Sequence, residues 1–516
     1  MTKASDTANI LKQPFVNTLG TSNYRAGVNA GDTIASGGNY NTVVGDEAGT
    51  ALTTGDGNVA IGFEALKTED ADGQNVAIGY QASKVLNAGA NAESVMVGYQ
   101  AGSAMTTGLY NVGIGRAALT AETQGDKSVA VGNGALGTQN GTDGDVFNTA
   151  VGHAAGGVIT TGTLNTIIGG LSGDALTDGS GNVSLGYNSL SADTRGKNSV
   201  ALGRNALAVQ NLTSSTDAYN IAIGRAAGGA ITSGVQNTII GSLAGDALTD
   251  ADYNVAVGKS ALSACTQGSK STAIGTACLE AQNISSAADS LNTAVGFSAG
   301  YGLTTGTQNT LMGVNSGYGA ITGAGNSCYG LESGNSITSG AYNTFIGRYT
   351  ADSLTTGAYN SHLGNDTDVS ANNVQFGIAI GHGAVDKGTN TGFLSSNQGI
   401  YQGNNNASWS TTSDIRIKKN ITDNNIGLDT INKIKVKNFE YRTEDEIVDF
   451  DNPKAAVVEK EGIQLGVIAQ EIQAILPDVV TEQSTGVLSV SPDNITWYLV
   501  NAVKELSAKV KALEDG

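Results

Sequence analysis

The sequence predicts a mainly β protein: a parallel β-solenoid shaft of about 20 short repeats, followed by a small α+β domain that ends in a helix. Three observations predict this fold. A glycine closes a short apolar run at intervals of mostly 17 residues, β-branched and small residues alternate within each run, and the composition changes near residue 412. The first two features extend through most of the chain and therefore decide its architecture.

The closing glycines define the repeat unit, and a degenerate first copy lies at Asn23 to Gly27. The interval lengthens to 19, 20, 21 and 21 residues before Gly98, Gly152, Gly224 and Gly296, and the last three are 72 residues apart. Extra residues that enter at one place in the unit predict an exposed loop. The closing glycines are Gly45, Gly62, Gly79, Gly98, Gly115, Gly132, Gly152, Gly169, Gly186, Gly203, Gly224, Gly241, Gly258, Gly275, Gly296, Gly313, Gly330, Gly347, Gly364 and Gly381.

The residues within a unit indicate strands and tight turns. In Asn58-Val59-Ala60-Ile61-Gly62, β-branched residues alternate with small ones, which is the period of a strand. Turn tripeptides such as Thr54-Gly55-Asp56 follow at regular intervals and supply positive backbone angles. We therefore expect each coil to hold two short strands and two turns, with the coils stacked in parallel at roughly 4.8 Å.

Asparagine recurs at the start of the phrase, and two interpretations of it are about equally strong. Stacked side-chain amides could form a ladder along the shaft. Alternatively, each asparagine caps a turn within its own coil. The residues concerned are Asn41, Asn58, Asn75, Asn111, Asn165, Asn182, Asn237, Asn254, Asn309, Asn343 and Asn360.

The core of one such chain is thin, because aromatic residues make up 5% of the sequence and much of the apolar content is alanine. We therefore expect an obligate homo-oligomer, and a trimer suits a long shaft. The phrase from Asn75 to Ala82 and its relatives resemble the head repeats of trimeric autotransporter adhesins. That resemblance implies a trimeric parallel β-roll, although the unit of 17 residues is longer than the one typical of that family.

Composition excludes several classes of partner. The net charge of −19 argues against a nucleic-acid-binding surface. No stretch approaches the roughly 20 apolar residues of a membrane span, and the first residues do not resemble a secretory signal. With three His and with Cys265, Cys278 and Cys328 widely scattered, we expect no metal site, no cofactor and no disulfide framework. The cysteines are interpreted as small buried residues.

From Ser413 onward the sequence predicts a separate globular α+β module. Leu428, Ile431 and Ile434 fit one face of a helix, residues 436–441 form a predicted strand, and residues 467–476 form a predicted helix that Pro477 ends. A last helix is predicted to begin at Ser491 and Pro492. Its apolar residues Leu499, Val503, Leu506, Val510 and Leu513 alternate in steps of four and three, which indicates a short coiled-coil seam.

This region resembles the intramolecular chaperone domain at the C-terminus of phage tail spikes and tail fibres, the peptidase S74 family. The matching phrases are Ser413-Asp414 with Lys418, Gly466 to Glu471, Leu476 to Val480 and Ala502 to Leu506. The resemblance implies a domain that trimerises its shaft and then cuts itself off. It implies Ser413 as the nucleophile, Lys418 as the base and Ser413-Asp414 as the cleavage site, although attack on the preceding carbonyl would instead cut between residues 412 and 413.

The spacing of the proposed dyad leaves its geometry open. Residues five apart lie on opposite faces of a strand and about 140° apart on a helix. A turn, or a lysine from a neighbouring protomer, must therefore bring Lys418 to Ser413. Burial or nearby cations such as Arg416 and Lys419 could favour the neutral amine that a base requires. Without the flanking phrases, a polar turn would be the better interpretation of Ser413 and Lys418.

We therefore expect a virion tail fibre or host-attachment protein, made in the host cytoplasm. The predicted domains are an N-terminal segment at 1–40 that binds a virion tail or baseplate protein, a repeat shaft at 41–385, a junction or tip at 386–412 and the chaperone domain at 413–516. Phe393, Tyr401 and Trp409 are candidate contacts to a host cell-surface glycan or protein receptor. Packing at the end of the shaft explains these aromatic residues equally well.

Two rival functions make different demands on the sequence. A glycan-degrading tailspike needs paired carboxylates in a groove, but Asp46, Glu64, Asp174 and Asp246 fit solvated turns better than catalytic pairs. A bacterial cell-surface trimeric adhesin needs a secretion signal and a membrane anchor, and neither is expected from this sequence.

Overall fold

A computed structural model describes residues 20–89, 91–284, 288–395, 413–449, 456–458, 460–483 and 486–516. The chain divides into two compact units, one ending at Asn309 and the other beginning at Thr310. The first unit is a parallel β-solenoid. The second contains further solenoid coils and the C-terminal domain. The prediction of a mainly β solenoid with a small α+β domain is confirmed.

In the first unit, three-residue strands occupy the same place in successive coils and pair in parallel, each with the next coil. The degenerate copy predicted at Asn23 provides the first of them. These strands are β1 Tyr24–Ala26, β2 Thr42–Val44, β3 Val59–Ile61, β4 Val76–Ile78, β5 Val95–Val97, β6 Val112–Ile114, β8 Val129–Val131, β10 Thr149–Val151, β11 Thr166–Ile168, β12 Val183–Leu185, β14 Val200–Leu202, β16 Ile221–Ile223, β17 Thr238–Ile240, β18 Val255–Val257, β19 Thr272–Ile274 and β20 Thr293–Val295.

The expectation of two strands per coil was wrong for most coils. After each closing glycine the chain makes a turn in which residues with positive φ recur, as at Glu47 (φ 59°) and Gly49 (φ 52°). Left-handed residues cannot extend a strand, yet their backbone groups still bond to the next coil. Gly49 N, for example, donates to Ala65 O at 2.9 Å. The second side of the coil is therefore a stack of turns.

The closing glycines are required by both conformation and space. Gly62 has φ +131°, and a Cβ added there would lie 2.6 Å from the carbonyl carbon of Gly79 and would also collide with its oxygen. The same close approach recurs between closing glycines of neighbouring coils, as from Gly79 to Gly98. A larger residue would force the coils apart at this corner.

Two apolar columns and the centre of each strand fill the inside of the coil. The middle strand residue is buried, and the two residues that flank it point outward and are partly or largely exposed, as in β3 and β11. A buried alanine and a buried larger side chain follow in the turns, as Ala48 and Leu52 do. The core is therefore narrow, and small residues dominate it.

The asparagine side chains bond to the neighbouring coil and also to a turn of their own coil. The ladder and the turn cap proposed from the sequence are therefore both present. Asn58 N donates to Asn41 Oδ1 at 2.8 Å, which joins neighbouring coils, and Asn41 Nδ2 donates to Gly55 O at 2.8 Å, which fixes a turn. Amides also bond directly to one another, as from Asn343 Nδ2 to Asn326 Oδ1 at 2.9 Å. Because these side chains are buried, each needs the partners that this arrangement supplies.

The longer units place their extra residues before the strand, in loops whose tips are exposed at Thr142, Asp143 and Ser214. Two of these loops add a parallel pairing to the solenoid. The additional strands are β7 Gly125–Asp126 with β9 Gly144–Asp145, and β13 Gly196–Lys197 with β15 Thr216–Asp217. The predicted position of the insertions is confirmed.

The second unit repeats the same coil. Its strands β21 Thr310–Met312, β22 Ser327–Tyr329, β23 Thr344–Ile346, β24 Ser361–Leu363, β25 Ile378–Ile380 and β26 Gly392–Leu394 pair in parallel in this order. The middle residue of β24 is His362, whose Nε2 lies 3.4 Å from Asp386 Oδ2 in a fully buried pair. On the surface, the rings of Tyr342, Tyr359 and Phe376 stack at 5.3 and 5.0 Å, which marks in-register stacking of the coils.

The C-terminal domain is α+β. Its α-helices are α1 Leu428–Ile431, α2 Ala469–Gln473 and α3 Pro492–Glu514, and its short 3-10 helices are Ile415–Ile417, Glu444–Glu446 and Pro477–Val479. Its antiparallel strand pairs are β27 Lys437–Phe439 with β28 Gln464–Gly466, and β29 Val480–Glu482 with β30 Leu488–Val490. The core consists of Ile472, Leu476, Val479 and Tyr498. The helix predicted at 467–476 is shorter than expected, because a 3-10 turn at Pro477 follows it closely.

Candidate functional site

Ser413 and Lys418 lie at the start of the C-terminal domain, where a single 3-10 turn brings them together. Asp414 caps this turn, since its Oδ1 accepts a hydrogen bond from Arg416 N at 2.8 Å. Lys418 N closes the turn by donating to Ile415 O at 3.2 Å. As a result Lys418 Nζ donates to Ser413 Oγ at 2.6 Å within one chain. The turn resolves the spacing problem that neither a strand nor a longer helix could solve.

Beside this pair, Asp414 and Arg416 form an exposed ion pair. Arg416 Nε lies 3.0 Å from Asp414 Oδ1, and its Nη2 lies 2.6 Å from Oδ2. The side-chain hydrogen bonds from Arg416 lower the pKa of Asp414, and the carboxylate raises the pKa of Arg416 in return. The guanidinium expected to act on Lys418 is therefore engaged by Asp414.

The surroundings of the pair in the single chain are open. Ser413 and Lys418 are both exposed. The isoleucines beside them are exposed as well, Ile415 to 73% and Ile417 to 68%. Apolar side chains this exposed, next to a polar pair, are typical of a surface that another protein segment covers.

The segment that follows Ser413 and Lys418 is hydrogen-bonded to the long helix α3. Leu428 N donates to Glu505 Oε2 at 3.0 Å, and Asn501 Nδ2 donates to Asn424 O at 2.8 Å. Elsewhere in the domain, Lys437 of β27 forms an ion pair with Glu471 of α2. These contacts join the chain after the dyad to the folded part of the domain.

Helix α3 has two different faces. Tyr498 and Ala502 are buried against the rest of the domain, and the Tyr498 hydroxyl hydrogen-bonds to Asp478. The predicted seam residues point elsewhere and are exposed: Leu499, Val503, Leu506, Val510 and Leu513. Leu513, for example, is 83% exposed. The seam therefore has no partner within the described residues of one chain.

Of the three aromatic residues predicted to contact a receptor, one lies in the described chain. Phe393 is the middle residue of β26 and is partly buried, and Lys387 Nζ lies 4.7 Å from its ring centroid. Burial lowers the pKa of Lys387. Tyr401 and Trp409 lie outside the described residues.

The acidic residues at the corners of the coils lie in different surroundings. Glu64 binds Lys67 Nζ at 2.8 Å and Lys84 Nζ at 2.7 Å, and these hydrogen bonds lower its pKa to about 2. Asp174 and Asp246 are partly buried, and burial raises the pKa of each. Within the described part of the chain, no group of three or more His, Cys, Asp and Glu side chains is arranged to hold a metal ion.

Sequence reasoning missed a set of acids inside the solenoid. Glu69, Glu122 and Asp193 are completely buried, in the column that Leu52 and Leu176 occupy in other coils. The signal was present, because an alignment of the units on their closing glycines places these acids at an apolar position. The three cysteines are buried, as predicted, and burial raises the pKa of Cys278 and Cys328 to about 12.

The character of the helices and two comparisons with known proteins place these observations in context. None of the helices among the described residues is long and apolar enough to span a membrane. A search of curated proteins finds no match to the chain. The family model Peptidase S74, described as chaperone of endosialidase, matches residues 413–481, which begin at the Ser413–Lys418 turn. Residues 413–481 of this chain are therefore similar to the peptidase S74, chaperone-of-endosialidase family, and in the sequence they follow a long parallel β-solenoid.

Proposed function

We propose that this chain is a viral host-attachment protein, a tail fibre or tail spike. Its C-terminal domain drives trimerisation and sets the register of the solenoid, and it then releases itself by cleavage at Ser413. One observation carries the proposal: the segment that matches the chaperone family begins at a serine whose Oγ lies 2.6 Å from Lys418 Nζ.

The outer face of the solenoid strands supports a homotrimer. The outward residues of each strand are mostly Val, Ile, Leu or Thr, and many are more than a third exposed, such as Leu185 at 45% and Ile346 at 42%. They repeat in every coil, so they form an apolar stripe along the sheet. Stripes of this kind on soluble proteins mark interfaces, and wrapping identical chains around one axis would cover all of them at once.

The exposed seam of α3 supports the same assembly at the C-terminal end. Leu499, Val503, Leu506 and Val510 follow a heptad spacing, and a heptad seam is buried when helices of neighbouring chains pack together. The domain already uses an adjacent side of α3, about 100° away around the helix, for its own core through Tyr498 and Ala502. Each helix can therefore serve its domain and the trimer simultaneously.

Assembly would also activate the dyad. Lysine acts as a general base only when its surroundings favour the neutral amine, which requires burial or neighbouring cations. Ser413 and Lys418 are exposed in the single chain, and Ile415 and Ile417 offer apolar surface beside them. We propose that neighbouring protomers cover this surface, so that the shaft is cut only after it has assembled.

The chemistry needs water as its one co-reactant. Lys418 accepts the Ser413 hydroxyl proton while Oγ bonds to the carbonyl carbon under attack. The C–N bond then breaks, the leaving amine takes the proton, and water hydrolyses the resulting ester. Attack on the carbonyl of residue 412 releases a fragment that begins at Ser413. Cleavage between Ser413 and Asp414, which the family resemblance implies, releases one that begins at Asp414.

A removable guide suits a repetitive shaft. Neighbouring coils are nearly identical, so a shift of one coil between chains keeps most strand contacts, and non-local association of this kind is slow. A globular C-terminal clamp has one register only and can start assembly there. Its later removal leaves a shaft that unfolds slowly and lacks its folding nucleus, which makes the product kinetically stable.

The remaining parts of the proposal concern partners and location. We assign the N-terminal segment 1–40 to a virion tail or baseplate protein and the region near Phe393, Tyr401 and Trp409 to a host-surface glycan or protein. The chain would be made in the host cytoplasm and would act on the virion. The acidic composition, with a net charge of −19, supports a protein partner or glycan over nucleic acid.

Intact-mass analysis of the assembled protein tests self-cleavage. We expect wild type to yield a separate fragment that begins at Ser413 or Asp414 and ends at Gly516, and its mass would identify the bond that is cut. Ser413→Ala and Lys418→Met should both assemble and remain at full length. Lys419→Met is the matched control, because it removes a neighbouring lysine and should still be cut.

Sedimentation of the same samples tests the trimer. An unchanged full-length mass in assembled wild type would remove the peptidase part of the proposal. A stable monomer in wild type would remove the trimer and with it the role of the domain as an assembly guide.

A further inference from the structure

Three buried acids of the solenoid, Glu69, Glu122 and Asp193, occupy the same position in their coils but differ in how their charge is satisfied. A carboxylate in an apolar core is costly unless N–H or O–H groups hydrogen-bond to it. Glu69, Glu122 and Asp193 all have no exposed surface. Their hydrogen-bond partners therefore decide which of them can be ionised.

Glu122 accepts hydrogen bonds from donors in its own coil and in the next coil. Its Oε1 accepts from Gly125 N at 2.7 Å, and its Oε2 accepts from Gln139 Nε2 at 2.8 Å and Gly141 N at 3.2 Å. These donors supply the hydrogen bonds that a buried carboxyl group needs. The amide of Gln139 is held in turn by Asn148 Nδ2, which donates to Gln139 Oε1 at 2.9 Å.

Asp193 repeats the arrangement of Glu122. Gly196 N and Leu212 N donate to its Oδ1 at 2.9 and 3.2 Å, and Gln210 Nε2 donates to its Oδ2 at 2.5 Å. In both places a glutamine at the same position of the next coil provides the side-chain donor.

Glu69 has no such glutamine, because Leu86 occupies that position in the next coil. Its Oε1 accepts from Asp72 N at 3.0 Å, but its Oε2 has no donor. Asp72 Oδ2 is also buried and accepts no hydrogen bond. The amide nitrogen of Asn75 is buried too, and it has no acceptor. Asp72 and Asn75 are 5% and 1% exposed, so water replaces few of the missing bonds.

We propose that Glu69 and Asp72 form a proton-binding site, in which one proton is held between the two carboxyl groups. With a proton on Glu69, its hydroxyl donates to the Asp72 carboxylate, and both unpartnered oxygens are satisfied by a single hydrogen bond. With both groups ionised, two like charges face each other in the core. The protonated pair is therefore the folded form of this coil.

The electrostatic surroundings agree with the geometry. Burial is the largest cause that raises the pKa of Glu69, followed by the charge of Asp72, and the value reaches about 8. Asp70 of the same turn adds a further negative charge in the same direction. The coils on either side carry Asp56 and Glu93, which are also acidic.

The cations nearest in sequence are engaged elsewhere. Lys67 and Lys84 both bind Glu64, at 2.8 and 2.7 Å. A bound calcium ion would need six to eight oxygen ligands, but Glu69 and Asp72 offer two unpartnered oxygens. A proton fits this site better than a metal ion does.

The site makes one part of the solenoid sensitive to pH. A buried acid whose pKa is raised contributes its full stability below its unfolded pKa of about 4.3, and that contribution is lost as pH rises through the folded value. Here the loss runs from about 4.3 to about 8 and is complete above it. Strands β3, β4 and β5, which surround the pair, are expected to open more readily in alkaline solution.

Hydrogen–deuterium exchange of the full chain tests the proposal, with rates corrected for the intrinsic effect of pH. Opening of coils β3 to β5 should increase roughly a hundredfold between pH 6 and pH 8, because one proton changes the equilibrium tenfold per pH unit. Glu69→Gln should abolish this increase, because its amide donates to Asp72 at every pH. Asp72→Asn serves the same purpose if the first variant does not fold.

Glu122→Gln is the matched control, because it replaces an acid that the structure satisfies as a carboxylate. It should destabilise coils β6 to β10 equally at pH 6 and pH 8 and leave coils β3 to β5 unchanged. The proposal fails if Glu69→Gln retains the pH dependence of wild type or if wild type has none. It also fails if added calcium chloride restores protection at pH 8 in wild type but not in Glu69→Gln, since the site would then hold a cation.

Discussion

In the solenoid, backbone hydrogen bonds and buried asparagines join each coil to the next, whereas the C-terminal domain depends on four buried side chains and a long helix with one exposed face. The solenoid repeats the same contacts in every coil and so contains little information about register. The domain is not repetitive, and its helix α3 exposes a single seam. The difference suggests that the domain specifies the register of the assembly, whereas the solenoid provides its stability.

The largest expected effect comes from breaking the seam of α3. Val503→Asp places a charge at a residue that is 63% exposed in the single chain, so the domain itself should fold. If the seam joins three helices, the buried charge should prevent the trimer from forming. Sedimentation should show monomers or irregular aggregates, and mass analysis should show no cleavage.

Ala508→Asp is the control for this substitution, since it adds the same charge at an exposed residue on the side of the same helix that faces away from the seam. It should assemble and be cut as wild type is. Normal trimers of Val503→Asp would show that the seam does not guide assembly.

A closing glycine of the solenoid should give the next largest effect. Gly62→Ala introduces a Cβ at φ +131° and 2.6 Å from the carbonyl carbon of Gly79. Strain of about 1–3 kcal/mol and a clash of similar size should together lower the unfolding free energy by about 3–5 kcal/mol. Urea unfolding, followed by circular dichroism, measures the loss.

Gly134→Ala is the matched comparison, because Gly134 has φ +67° but no atom within 4 Å of an added Cβ. Its unfolding free energy should fall only by the cost of backbone strain, about 1–2 kcal/mol. Equal losses at the two positions would mean that close stacking of the coils contributes nothing at Gly62.

The asparagine ladder should have an intermediate effect. In Asn254→Ala, the Gly268 carbonyl loses a donor at 3.1 Å and Ser271 N loses an acceptor at 2.9 Å, both in the core. Two buried groups without partners should reduce the unfolding free energy by about 2–3 kcal/mol. Ser271→Ala removes a hydroxyl that accepts a hydrogen bond from Gln282 Nε2, but this amide also donates to Ser290 Oγ and keeps a partner. The unfolding free energy should therefore fall by about 1 kcal/mol or less. Thermal unfolding of both variants checks the order.

The surface ion pairs of the solenoid should give the smallest effect. Glu64→Gln should lower the unfolding free energy by about 1 kcal/mol or less at pH 7, and 1 M salt should reduce the difference. Because Lys67 and Lys84 lower the pKa of Glu64 to about 2, its contribution is present above about pH 4.3 and is lost as pH falls toward 2. The melting temperatures of wild type and variant should therefore differ at pH 7 and approach each other at pH 2.

Glu47→Gln is the comparison for this network, because its carboxylate lies 3.7 Å from Lys67 Nζ and makes the longer contact. It should change the melting temperature less than Glu64→Gln does. The reverse order would show that the geometry at Glu64 has no bearing on stability.

Much of the fold could be predicted because its signals are local and repeated. The glycine at each corner, the alternation of Val and Ala in β3 and the insertions before Gly152 all indicate features of a single coil, and stacking multiplies each one. The second strand of the coil was predicted wrongly, because the left-handed residues there include Glu47 and Leu66, which carry no sequence signal for positive φ. Their conformation is imposed by the stack of turns.

The candidate site shows the same limit. The family phrases identified Ser413 and Lys418, but their distance depended on a turn that Asp414 caps, and spacing alone left that open. The buried acids were missed for a different reason. Glu69 differs from Glu122 in part through the residue one coil further on, Leu86 or Gln139, and that neighbour is adjacent in space but distant in the chain.

The sequence by itself determined the period of the repeat, the place of the insertions, the parallel solenoid and the start of the C-terminal domain, because each follows from the intrinsic preferences of a few neighbouring residues. Only the tertiary structure decided that Lys418 reaches Ser413 within one chain, that the asparagines bond along the stack as well as across turns, and that Glu69 Oε2 is buried without a donor. These features depend on distances between groups that a turn or the next coil brings together, and such distances are set by packing.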